Sequence, residues 1–182
     1  MAKINRKFDE RDSGIAHIQP GNVWELDEST SICIHVDNGC EQSFASFLRE
    51  VWMSLPDSPR SAIADYWRKG GQEDQSVPVI TVLKNPCPAC PALQSMTRSD
   101  GRTLVFSRQF VDEQSPDRVR GLIAFQLAYL YVVSESGCDF AEQPMEMFTN
   151  LAFGEWGYQF PEELRSLVHK FDDSWSAMTV MA

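Results

Sequence analysis

Asn85-Pro-Cys87-Pro-Ala-Cys90-Pro is the one local motif whose residue types and spacing still offer chemistry. Two thiolates two residues apart can reach one tetrahedral ion, so the pair can supply half of a zinc site. A complete site needs two more donors, and Cys33, His35, Cys40 and Cys138 are the candidates, none in a second C-x-x-C. The same pair can work as a redox couple where the first thiol opens a helix and its pKa falls. Here Pro91 follows directly and no β-α-β frame precedes, which disfavours that use. The third reading is a proline-stiffened loop with two free thiols. Elsewhere the catalytic vocabulary is thin. His17, His35 and His169 are scattered, with His169 placed where a cation suits a helix C-terminus. No G-x-S-x-G, Walker or G-x-G-x-x-G pattern occurs.

The elements that must position these residues follow from periodicity. Ser31-Ile-Cys-Ile-His-Val36 alternates as a short strand and ends in the turn-like Asp37-Asn38-Gly39. Phe44, Phe47, Leu48, Val51, Trp52 and Leu55 form one helical stripe, with Ser43 as N-cap and Pro56 as stop. Ser58 and Pro59 open a second helix that Gly70-Gly71 closes. Val77–Leu83 and Thr103–Phe106 read as strands, joined by a connection too long for a tight hairpin. A third helix starts with Ser115 as N-cap and Pro116 in its first turn, and runs to about Ser134. From Gly121 it is apolar on almost every face, with Gln126 its lone strongly polar residue, so it belongs in the centre of the fold. A fourth helix, from near Pro144, turns Met145, Phe148, Ala152 and Phe153 inward and ends near Gly157. A fifth, from Pro161, uses Leu164, Leu167, Val168 and Phe171. The expectation is one α+β domain over 15–171, helix-dominated with a small sheet, between a charged arm (1–14) and a tail (172–182).

This order of elements resembles the minimal gluzincin metallopeptidase domain, the ImmA/IrrE-like group of small HExxH proteins. There a buried helix carries H-E-x-x-H: two histidines one turn apart hold zinc, and the glutamate acts as base on the metal's water. The next helix adds a ligand from an E-x-x-A-N/D segment. Here Ile123-Ala-Phe125-Gln126-Leu-Ala-Tyr129 keeps the Leu-Ala flank and the spacing, but its chemical positions hold Phe125, Gln126 and Tyr129. Glu146-Met-Phe-Thr-Asn150 matches the second segment, with Thr149 in place of Ala. The likeness covers about residues 44–158. It implies a zincin-like fold with a degenerate site. Phe125 offers no lone pair, and Gln126 cannot take up a proton near neutral pH. A phenol that titrates near ~10 is a poor zinc ligand at Tyr129. Glu146 alone cannot replace the three protein ligands of a catalytic zinc. It is instead expected to accept hydrogen bonds from Gln126 or Tyr129, making the former ligand cluster a polar network.

Composition sets the outer bounds. The 182 residues carry 16 Lys and Arg against 26 Asp and Glu, a net charge of −10 that argues against nucleic acid and anionic membranes. The apolar run Gly121–Val133 is shorter than the ~20 residues that span a bilayer, and the charged N-terminus lacks a signal-like core. A cytoplasmic protein with reduced thiols is expected. The functional expectation is a metallopeptidase-like domain without catalytic residues or a resident cofactor, acting through a protein or peptide partner. The rivals are a structural-zinc or thiol-redox protein built on Cys87 and Cys90, and a hydrolase with a ligand set of another kind. The tail, with Trp175, Met178, Val180 and Met181, has three readings: it folds back, swaps into a neighbour, or binds.

Overall fold

Alternating apolar residues fix which face of the sheet is dry. Ile32 and Ile34, Ile80 and Val82, and Leu104 and Phe106 are each at most 1% exposed. In a strand, residues two apart share a face, so these pairs define one buried surface. The computed structural model describes residues 23–36, 41–70, 78–83, 95–97, 103–136 and 145–159. Its strands are β1 (Val23–Glu25), β2 (Ser31–Val36), β3 (Val79–Leu83), β4 (Ser95–Thr97) and β5 (Thr103–Ser107). They form one sheet in the order β1-β2-β3-β5-β4. β2, β3 and β5 run parallel, with Ile34, Ile80 and Leu104 in register. β1 and β4 are antiparallel to their neighbours, so the sheet is mixed.

The helices cover the dry face. They are α1 (Glu41–Ser54), α2 (Asp57–Gly70), α3 (Arg108–Glu113), α4 (Pro116–Ser136) and α5 (Met145–Thr149), with α5 continuing into a wider π-helical segment, Asn150–Glu155. Phe44 of α1 meets Phe106 of β5 with ring centroids 5.1 Å apart, which ties the two layers together. Val119, Leu122, Ile123, Ala124, Leu127, Ala128 and Leu130 bring α4 into the same core. The described part of the chain is therefore helix-dominated with a small sheet, an α+β arrangement. Among the described residues no helix is long and apolar enough to cross a membrane.

Several elements differ from the sequence expectation. α1 begins at Glu41, so Ser43 lies inside the helix and is not its N-cap. α2 begins at Asp57, which places an acid in the first turn where the helix dipole favours it; Ser58 is helical, not the cap. β1, β4 and α3 are additions. Two of them are three-residue strands that carry too little alternation to read, and α3 spans under two turns. Ser107 accepts from the Phe110 backbone N–H, and this cap starts α3 directly at the end of β5. The extents of β2, of α2 at Gly70 and of α4 at Pro116 agree with their signals. The turn at 37–39, the fifth helix from Pro161, the arm and the tail lie outside the described residues.

A clasp holds the β1–β2 turn to the helices. Trp52 Nε1 donates to Asp27 Oδ2 at 2.6 Å, and the Ser29 N–H donates to Asp27 Oδ1 at 2.8 Å. The Trp52 ring, fully buried, stacks on Trp67 of α2 at 5.6 Å and 14°. Burial alone would raise the Asp27 pKa; the bonds from Trp52, Ser29 and Thr30 outweigh it and hold the carboxylate down at about 2.

Candidate functional site

α4 and the segment after it meet along an aromatic seam. On a helix, residues i, i+4 and i+8 lie on one side, which aligns Gly121, Phe125 and Tyr129. Phe125 stacks on Phe153 at 6.1 Å and 10°, and its edge meets Phe148 at 6.2 Å and 82°. Tyr129 meets the same Phe148 ring at 4.7 Å and 88°. Phe148 is buried, whereas Phe125, Tyr129 and Phe153 are half-buried and keep part of their surface toward solvent. Stacked and edge-to-face pairs at these separations are the favoured aromatic arrangements.

At Gly121 the backbone itself closes the seam. A Cβ at this position would stand 2.3 Å from the Gln159 carbonyl oxygen and 3.8 Å from Phe153. The chain reaches this point by a turn at Gly157, whose φ of 73° suits glycine. Tyr158 adds a hydrogen bond between its hydroxyl and Ser54 at the end of α1.

Gln126 sits one residue past Phe125 and so faces elsewhere. It is 5% exposed, and its Nε2 donates to Ser95 Oγ on β4 at 2.8 Å. Ser95 is itself buried, and its strand register sets it opposite Phe106. This bond ties Gln126 to the sheet; the network expected with Glu146 falls on a side chain outside the described residues. Burial pushes the half-buried Tyr129 phenol well above its ordinary range, and Tyr66 of α2 adds to the rise. A phenol held neutral in this way is a hydrogen-bonding and packing group, not an anionic ligand.

The seam brings together the positions of Phe125 and Tyr129 with the helix that carries Glu146. Glu146 lies in α5, and its side chain is outside the described residues. Asn150 is exposed and opens the π-helical segment. Cys33 and His35 belong to β2, with side chains outside the description. Cys40, Cys87, Cys90, Cys138, His17 and His169 lie outside the described residues altogether. Among the described residues no group of three or more His, Cys, Asp or Glu side chains could hold a metal.

Two contributors were not visible as site residues in the sequence. Ser95 sits in a three-residue strand within a loop-like stretch, and only its pairing with β5 points it at Gln126. Gly121 reads as a helix interior glycine, and only the approach of Gln159 explains why no side chain fits there. No known protein family, curated protein or solved structure matches this chain.

Proposed function

We propose that this chain is a zincin-like domain that has lost catalytic metal chemistry and acts by binding a protein or peptide. One observation carries the reading. Phe125 and Tyr129, the residues at the two histidine positions of the resemblance, both pack on Phe148 of the helix bearing the Glu146 position. Rings thus fill the side of α4 where two imidazoles and a carboxylate would converge on an ion. Gln126 supports the same reading, because an amide bonded to Ser95 cannot act as a base on a water molecule.

For binding, the fold offers backbone as well as rings. Among the described strands β4 has a neighbour on one side only, β5. The outer edge of such a strand presents N–H and C=O groups that an extended segment can pair with. It lies beside α4, to which Ser95 and Gln126 join it.

The test restores what the reading says was lost. In the variant F125H/Q126E/Y129H, zinc should bind one per chain, and adding Glu146→Ala should weaken it at least about tenfold, as expected for loss of one of three ligands. Isothermal titration with zinc and elemental analysis measure both, with circular dichroism to establish that the variants fold. A folded triple variant that takes up no zinc overturns the zincin-like reading. So does zinc in the unaltered protein that survives Cys87→Ser and is lost with Glu146→Ala, because that identifies a working site.

A further inference from the structure

The stretch that builds the seam has an unusual charge distribution. From Gly121 to Leu164 the sequence carries Glu135, Asp139, Glu142, Glu146, Glu155, Glu162 and Glu163, and not one Lys, Arg or His. Of these, Glu135 in the last turns of α4 and Glu155 just past Phe153 are exposed. Met147, next to Phe148 in sequence, is a large apolar residue left 47% exposed.

Three cations on α4 and α2 are paired with carboxylates. Arg120, one residue before the stretch, is bound by Glu50 at 2.6 Å and Asp117 at 3.1 Å, with its guanidinium 4.9 Å from the centre of the Phe47 ring. On α2, which packs against α4, Arg60 pairs with Asp57 and Arg68 with Asp65 inside their own helix. Lys69 is exposed at the end of α2, and Arg49 is exposed on α1. The seam is thus a partly exposed aromatic surface on elements whose exposed charges from Gly121 onward, among the described residues, are the carboxylates of Glu135 and Glu155.

We propose that the occupant of this surface is a cationic peptide segment of another protein, with apolar side chains against Phe125, Tyr129 and Phe153 and basic ones toward Glu135 and Glu155. The proposal rests on the reading of this chain as a binding domain and adds a second surface and the chemistry of the partner. Complementary charge steers encounter and excludes wrong partners, and ring faces also attract cations directly.

Two blocked hexapeptides test it, one alternating leucine with lysine and one alternating leucine with glutamate, each titrated into the full chain by fluorescence anisotropy. The lysine peptide should bind at least about tenfold more tightly than the glutamate peptide, and should weaken several-fold between 50 and 500 mM salt as its charges are screened. Glu135→Gln with Glu155→Gln should weaken it about fivefold or more, while Glu28→Gln with Glu113→Gln, exposed elsewhere, should leave it unchanged. Phe153→Ala should weaken both peptides. Equal affinity for the two peptides overturns the cationic partner but leaves binding at the seam standing. Equal weakening by the two double variants overturns the proposal as well, because it reduces the effect to net charge. Failure of both peptides to bind counts against the partner and the binding reading together, and the zinc-restoration experiment then separates the fold assignment from the function.

Discussion

Asp27 shows how a single residue can make a loop part of the core. Its carboxylate collects donors from Trp52 and Ser29, and its pKa is held at about 2 against an ordinary 3.8. A depressed acid stabilises the fold fully above its unfolded pKa and loses that contribution as pH falls toward the folded value. The window is therefore about pH 4 down to 2. Because the carboxylate borders solvent, screening limits the contribution to about 1 kcal/mol. Asp27→Asn should thus be less stable than the unaltered protein by about that amount at pH 5, and the gap should narrow at pH 3 in urea unfolding. A gap that stays constant or widens on acidification would show that the clasp is not the cause. Trp52→Phe keeps an aromatic ring against Trp67 but removes the donor, and should raise the Asp27 pKa, as read by carboxyl carbon NMR. None of this was legible in the sequence. Asp27 and Trp52 are 25 residues apart, and neither belongs to a local motif.

At the scale of elements, the sequence was most informative where one period dominates. α4 opens at Pro116 and is apolar on almost every face from Gly121 to Val133, and its start and its central place follow from those signals. The site was legible in part for the same reason: Phe125 and Tyr129 are four apart on a helix, so they must share a side. Their common contact with Phe148 needed the next helix to be placed, because tertiary packing and not periodicity sets the angle between two helices. The π-helical segment after α5 was read as an ordinary helix continuation, since residue spacing alone does not reveal one wider turn. Glycines on these elements make a paired prediction. Gly121→Ala gains helix propensity of about 1 kcal/mol but drives a methyl into the Gln159 carbonyl, and overpacking of this kind costs about 1–3 kcal/mol. A net loss of about 1 kcal/mol or more is expected in urea unfolding, with faster amide exchange over residues 156–159. Gly154→Ala meets nothing within 4 Å and should be neutral or stabilising by up to about 1 kcal/mol. Equal effects at the two sites would mean that the contact between Gln159 and α4 does not constrain the fold.

For the molecule as a whole, stability depends on two elements that carry fully buried side chains into the core. β3 is paired on both sides by parallel strands, and its Ile80 and Val82 are fully buried. α4 lies across the helical layer with Ile123, Ala124, Leu127, Ala128 and Leu130 all at 0% exposure. The parallel pairs join residues far apart in sequence, such as Ile34 with Ile80, so they form only when the helical layer is also in place. This is also why strand order escaped the sequence: apolar runs declare strands, but not which strands become neighbours. By contrast, β1 and β4 are three-residue strands at the two edges of the sheet. Local opening needs little loss of buried surface at such edges, whereas β3 and the middle of α4 cannot open without exposing the shared core. Native-state hydrogen exchange in low denaturant should therefore divide the chain. Amides of residues 80–82 and 122–130 should exchange only with the free energy and denaturant dependence of global unfolding, and those of 23–25 and 95–97 by smaller, denaturant-insensitive openings. If α4 instead exchanged independently of β3, the two layers would be separate cooperative units. The Gln126–Ser95 bond would then be no part of what holds the seam against the sheet.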